Sequence, residues 1–544
     1  MPSKKTKKAG KAASKAKPAA TDLHSHKFMT KVREAFRFHG GQPRGSDFPP
    51  GSALFEGRFG RMFRTLPRAE FDKDDLKDLA EKITAEPEED EEATEKGTDP
   101  EENRGISAGY TYLGQFIDHD LTFDPASSLD KQNDPDALED FRTPRFDLDS
   151  LYGRGPNDQP YLYEDNGVRM LLGEPLTGSK DHAGRVDKGT RDLPRNNPHG
   201  GRARALIGDP RNDENVIVSQ LHATMLRFHN SIADHLTRAN GRPPKFEEVQ
   251  NLVRWHYQWV VLHDFLPTIA GQKVVHQILP HLNKKKGNIR VQGPRLTFFH
   301  FENFPFMPIE FSAAAYRFGH SMVRPIYRLN TTRKERNEIF STNESTSLTG
   351  FRALPSDFAV DWRLFFKTGE NTSDGPERLQ KSYKIDTSLV NPLGHLPKVI
   401  GADSPSLAER NLIRGLRMSL PSGQTVARYM GLPVIPDEKL RVGRATENDS
   451  EKNPPLTDCR PSLKENAPLW YYILAEAQQA FRNDATTLRL GPVGGRIVAE
   501  VFIGLLLGDH SSFLSQYPSW RPIRAFTTRG KFGMAELIRQ AQTA

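Results

Sequence analysis

Two long runs between Val216 and Leu266 carry apolar residues at helical spacing, and they limit the possible folds more than any other feature. In the first, Val216 to Leu236, the residues Leu221, Met225, Phe228, Ile232 and Leu236 recur every three or four positions and so share one side of a helix. The second, Phe246 to Leu266, is rich in aromatics, and both helices are expected to be largely buried. Shorter helical stretches are read at Ser312 to Met322, Leu407 to Arg417, Leu469 to Arg482 and Gly495 to Leu507, whereas strand-like alternation is sparse. The expected class is mainly α. No repeat is visible, and no linker cleanly divides Leu23 to Leu537, so one large domain over 23–544 is expected after a tail over 1–22.

Charge is unevenly distributed. The first twenty residues hold seven lysines and no acid, so removing them from the net charge of +7 leaves a body near neutrality. The tail is expected to be disordered and able to contact anionic surfaces without specificity; no specific nucleic-acid partner is expected. A second biased stretch, 86–102, has ten acids against Lys96 and reads as a solvated loop. The single cysteine, Cys459, rules out an intrachain disulfide and the C-x-x-C-H haem attachment. The apolar run Ile497 to Leu507 is shorter than the roughly 20 residues of a membrane span, so no transmembrane segment is expected. The N-terminus lacks the apolar stretch of a standard signal peptide, which leaves a cytoplasmic location or export by another route.

Chemistry concentrates after the acidic stretch. A helix is read from Ser107, as N-cap, into Gly114-Gln115-Phe116-Ile117-Asp118-His119-Asp120, and three- and four-residue spacing puts Gln115, Asp118 and His119 on one face. Such a polar arc among apolar residues needs partners if it is buried. Farther on, Thr143, Asp147 and Asp149 alternate oxygen-bearing side chains at a spacing that lets a loop wrap a hard cation; a surface turn rich in Asp is the other reading.

The run Gly114 to Leu121 resembles the distal motif of the animal-type haem peroxidases, members of the peroxidase–cyclooxygenase superfamily. The resemblance extends to Gly208-Asp209-Pro210-Arg211-Asn212-Asp213-Glu214, to Ala315-Tyr316-Arg317-Phe318-Gly319-His320-Ser321, and to Asn411-Leu412-Ile413-Arg414-Gly415. It covers most of Ile106 to about Phe513 and implies a haem peroxidase domain with haem between distal and proximal helices. It assigns His119 to acid–base work on hydrogen peroxide, Gln115 to orienting water or halide, and Arg211 to the distal cation. It further implies Asp118 and Glu214 as ester links to haem, His320 as the iron ligand, and Asn411 as acceptor from that histidine. Arg317 and Arg414 are placed at the cofactor by the same motifs. Calcium is implied at Asp120, Thr143, the carbonyl of Arg145, Asp147 and Asp149. His222 and His229 are assigned packing and hydrogen bonding.

Two departures matter. Asn215 replaces the methionine that makes a sulfonium link in some members, so the implied reductants are bromide, iodide, thiocyanate or organic donors rather than chloride. After Gly415 the sequence Leu416-Arg417-Met418-Ser419 departs from the usual motif. The expected activity is peroxide reduction coupled to oxidation of a small reductant, using haem b or ester-linked haem. A fatty-acid dioxygenase of the same superfamily is the alternative, although Arg317 stands where its tyrosine would be. A non-catalytic haem-binding scaffold is the other.

Overall fold

A computed structural model describes residues 57–87, 99–123, 139–140, 142–197, 201–283, 288–301, 305–369, 371, 374–397 and 404–544. The 1–22 tail and most of the acidic stretch lie outside these residues. The described chain is mainly helical. Its helices are α1 (Lys73–Ile83), α2 (Gly109–Leu121), α3 (Val216–Asn240), α4 (Phe246–Val260), α5 (Leu407–Arg417), α6 (Leu469–Gln478), α7 (Pro492–Gly508) and α8 (Met534–Ala541), with shorter turns between them.

Helix α3 is the axis of the molecule. Asn215 caps its start by accepting from Ile217 N (2.8 Å), and Gly241 ends it in the left-handed conformation, φ 64°. Every residue from Val216 to Ala233 is buried, not one stripe alone, because α2, α4 and α8 all pack around it. Several of its buried polar groups are accordingly paired: Arg227 with Asp187 (2.8 Å), Asn230 with the backbone of Met170, and His229 with Tyr152 and Val168 O.

The second long run does not stay α-helical. Helix α4 passes into a π turn, Val261–Phe265, and then an α turn, Leu266–Ala270. Helix α7 is buried almost throughout and packs on α6 and the turn Ala315–Met322. Among the described residues no helix is long and apolar enough to cross a membrane. Each large apolar side chain buried in this core contributes about 1.5–3 kcal/mol.

Sheet is minor. The strands β1 (Gly57–Gly60), β3 (Glu139–Asp140) and β4 (Met307–Pro308) form a three-stranded sheet in the order β3-β1-β4, with β1 antiparallel to β3 and parallel to β4. β2 (Glu102–Ser107) pairs antiparallel with β7 (Lys381–Tyr383), and β5 (Ile326–Tyr327) with β6 (Asn337–Glu338). The β2–β7 pair delivers the chain into α2.

Two expectations need correction. Ser107 ends β2 and caps nothing; Ala108 occupies the N-cap without a side-chain bond, and Ala108 N instead donates to Gln380 O (3.0 Å). The stretch Ser312 to Met322 is not one α-helix: Ile309–Ser312 is a single turn, and Ala315–Met322 is a 3-10 helix. In a 3-10 helix residues three apart eclipse, which stacks Arg317 directly over His320.

Candidate haem and cation site

Helix α2 starts at Gly109 because backbone and rings crowd it: a Cβ there would lie 2.5 Å from the Phe366 ring and 2.6 Å from Phe365 O. From that fixed start the helix turns Gln115 and His119 to the same side. Both meet Glu214, with Gln115 Nε2 donating to its Oε1 (2.6 Å) and His119 Nε2 at 3.5 Å from the same oxygen. Burial raises the Glu214 pKa, but the bond and charge of His119, with Arg211 and Gln115, outweigh it and leave it below the ordinary value. Asp118 lies between them in sequence but turns back to accept from Thr122 Oγ1 (3.0 Å).

The other ring nitrogen of His119 is held by a residue that carries no role in the sequence motif. Asn212 Oδ1 lies 2.8 Å from His119 Nδ1, while its Nδ2 faces His222 Nδ1 at 3.1 Å. Burial pushes the His222 pKa down to about 3, so that ring is neutral and its Nδ1 accepts from the amide. The amide's oxygen is thereby aimed at His119, which donates from Nδ1 and, in its neutral form, has its lone pair on Nε2. His222 and His229 thus act as packing and hydrogen-bonding residues, as expected.

Arg211 is held rather than free. Its backbone N and Nε donate to Asp209 Oδ1 (2.9 and 3.2 Å), its Nη2 donates to Asp209 Oδ2 (2.8 Å) and to His119 O (3.0 Å), and its guanidinium lies 4.5 Å over the Phe123 ring. Asp209 is the N-cap of the 3-10 turn Pro210–Asp213, and the Asp-Pro pair is the local signal that could have marked it.

On the proximal side, Tyr316 reaches back to α2 by donating to Gly114 O (3.2 Å), which ties the His320 segment to the His119 helix. His320 is deep among protein atoms yet partly reached by solvent. Burial, then the charge of Arg317, pushes its pKa down to about 3 and keeps the imidazole neutral, as a metal ligand requires. Asn411 meets its Nδ1 at 2.8 Å, but with the amide reversed from the expected direction: Nδ2 faces the ring, because Arg317 Nη1 donates to Oδ1 (3.2 Å). The eclipsed Arg317 therefore takes the acceptor that a ligating histidine would use. Arg414 follows Asn411 by one turn of α5 and is partly buried.

The acidic groups Asp120, Asp147 and Asp149 bring carboxylate oxygens within 4.8 Å of one another. Leu148, left-handed at φ 56°, lets the chain turn directly into the helical turn Asp149–Tyr152 between the two loop acids. Thr143 Oγ1 donates to Asp147 Oδ2 (2.7 Å), and Arg145 is buried in the same loop. Asp149 Oδ2 accepts from Arg142 (2.8 Å), while its buried Oδ1 meets no donor. Burial and the neighbouring Asp147 raise its pKa, a crowding of like charge that a hard cation would relieve.

The family model described as Animal haem peroxidase matches residues 135–433, more than half of the chain. The chain belongs to the animal haem peroxidase family. The matched interval holds the cation loop, Arg211, Glu214, His320 and Asn411; the α2 residues precede it. Among relatives of the chain, human eosinophil peroxidase is 24% identical over 420 residues, 64% of this chain and 53% of that protein. Mouse thyroid peroxidase is 29% identical over 311 residues, 56% of this chain and 30% of that protein. The chain thus spans about half or less of the length of these curated relatives. The solved structure of peroxidase A from Dictyostelium discoideum matches with a TM-score of 0.58 at 15% identity, over 93% of this chain and 96% of that one. A fatty acid alpha-dioxygenase from Oryza sativa matches with a TM-score of 0.50 at 13% identity, over 95% and 88%. Both share the fold.

The family's cofactor is haem, and the donor set fits it: His320, a neutral and partly exposed imidazole, lies on a segment that Tyr316 ties to the helix of His119, and Glu214 and Arg211 surround that second histidine.

Proposed function

We propose that this haem peroxidase reduces hydrogen peroxide and oxidises a small reductant, with His119 as acid–base catalyst and His320 as iron ligand. The observation that carries this reading is the Asn212 bond, which holds the His119 ring with Nδ1 donating and turns Nε2, the nitrogen that can gain or lose a proton, toward the Gln115–Glu214 cluster. Haem, when bound, would supply the two-electron redox chemistry that links peroxide to the reductant. His119 Nε2 takes the proton from one peroxide oxygen and returns it to the other, which departs as water. While Nε2 carries that proton, it faces Glu214 Oε1 at 3.5 Å, which can accept from it as a carboxylate or, once esterified, as a carbonyl oxygen. Arg211 Nη1, which donates to no described residue, is the donor left for the departing oxygen.

His320 would hold iron through Nε2, and Asn411 would turn its amide over to accept from Nδ1. Asp118 and Glu214 are the carboxylates for ester links to haem, and Gln115 orients water or a halide beside them. Asp120, Thr143, the Arg145 carbonyl, Asp147 and Asp149 hold calcium. Asn215, which caps α3, stands where some family members carry the methionine of a sulfonium link, so bromide, iodide, thiocyanate or organic donors are the reductants favoured over chloride. The dioxygenase reading gains nothing from Tyr316, whose hydroxyl is bonded to Gly114 O.

The visible spectrum of the haem-loaded protein, before and after one equivalent of peroxide, tests this assignment. The Soret band should shift in the parent, stay unshifted in His119→Ala, and weaken in His320→Ala. A parent without a Soret band, or one whose band ignores peroxide, sinks the proposal.

A further inference from the structure

Between the acidic loop and the distal histidine runs a row of alternating buried charges. Asp149 Oδ2 accepts from Arg142 Nη1 (2.8 Å), Arg142 Nη2 donates to Asp209 Oδ2, and the same Asp209 Oδ2 accepts from Arg211 Nη2 (2.8 Å). Arg211 Nη2 then reaches His119 O (3.0 Å). The side chains are 13%, 5%, 0% and 21% exposed in that order, so water screens the inner links little. Phe123 backs both arginines, at 6.0 Å from Arg142 and 4.5 Å from Arg211. The pivot is a single atom: Asp209 Oδ2 is shared by two guanidinium groups, and a stronger bond to one weakens the other.

We propose that Arg142 and Asp209 are positioning residues that couple occupancy of the Asp120, Asp147 and Asp149 site to the hold on Arg211 beside His119. The coupling rests on the cation and Arg211 roles proposed above. A divalent cation on Asp149 neutralises one of the two partners of Arg142 and repels its guanidinium. Arg142 then leans on Asp209 Oδ2, which loosens its grip on Arg211 and releases positive charge toward the peroxide side. Linkage makes the effect reciprocal, so changes at Arg211 or Asp209 must alter cation affinity although neither touches the cation.

The test measures calcium affinity of the full-length, haem-loaded protein by competition with a fluorescent chelator. Asp209→Asn leaves Arg142 to Asp149 alone, so calcium binding weakens by about 5-fold or more. Arg211→Gln leaves Asp209 to Arg142, so calcium binding tightens by a similar factor. Damage to the fold would weaken binding in both variants, and that result overturns the proposal. Arg142→Lys keeps the charge but cannot bridge both carboxylates, so both changes should shrink to less than about 2-fold in that background. Persistence of the full changes there means a through-space field without a relay, and overturns it too. In a second arm, stopped-flow mixing with peroxide should show calcium-dependent rates in the parent and calcium-independent rates in Arg142→Lys; equal dependence in both overturns the relay. A parent that binds no calcium defeats the cation reading itself, whereas a parent that binds it with affinity indifferent to Asp209 and Arg211 defeats only the coupling.

Discussion

At the scale of single residues, the structure assigns work to side chains that a motif leaves blank. His119, Arg211, Glu214 and His320 could be nominated because the short motifs that hold them resemble those of a known family. Asn212 was not, since an amide beside an arginine has no sequence signature until the fold turns it between two rings. The same holds for Asn411: its pairing with His320 could be read, but the direction of its amide depends on Arg317, which eclipses the histidine only because that segment is a 3-10 helix. Asn212→Ala should therefore leave haem bound while slowing the peroxide reaction. The His119 ring is then free to change tautomer and orientation, and a loss of about 10- to 100-fold is expected, part of the roughly 10²–10⁴-fold that such acid–base catalysis contributes. Stopped-flow Soret kinetics read this, and an unchanged rate would show that Asn212 does not fix the ring.

Helices were the most legible elements, and their ends and irregularities the least. The spacing of apolar residues located α3 and α4, but it could not show that α3 is buried all round, or that α4 opens into a π turn at Val261–Phe265. Those features come from neighbours: α2, α4 and α8 enclose α3, and the π turn places Asp264 where Tyr110 and Met534 N donate to it (2.6 and 2.7 Å). The start of α7 has a similar hidden anchor in Glu476 on α6, which accepts from Val493 N (2.9 Å) and Gly494 N (3.2 Å). Burial pushes its pKa up to about 7 despite these two donors. The native state therefore binds a proton that the unfolded chain, near 4.5, has already lost. The stability from this group is full below pH 4.5 and disappears as pH rises through 7. Glu476→Gln keeps an acceptor at Val493 N without the charge. The melting temperature of the parent should fall relative to this variant between pH 5 and pH 8, by an amount equivalent to about 3 kcal/mol at most. Parallel curves across that range would mean that Glu476 titrates normally.

Across the whole molecule, the distal centre is assembled from segments that meet only in the folded state. Asp120 comes from α2, Asp147 and Asp149 from the loop near residue 147, and Asp209 and Arg211 from the turn that leads into α3. Sequence spacing could nominate each segment, but not the Arg142 bridge between them, because that contact spans 67 residues and needs both loops in place. Three carboxylates within 4.8 Å repel one another, and Arg142 alone answers Asp149. A bound dication would bind the folded state and not the unfolded chain, which lacks the site. At a concentration about 1,000-fold above Kd that preference is worth roughly 4 kcal/mol. Removing calcium with a chelator should therefore lower the melting temperature of the haem-loaded protein, and adding calcium back should restore it. Asp147→Asn should abolish the response, since the site loses a charge at its centre. The effect should be specific to a divalent ion: sodium at equal ionic strength screens surface charge but cannot span three buried carboxylates. A melting temperature that ignores both chelator and calcium would mean that protein groups such as Arg142 and Thr143 suffice to hold these acids, and that the loop closes on the distal helix without an ion.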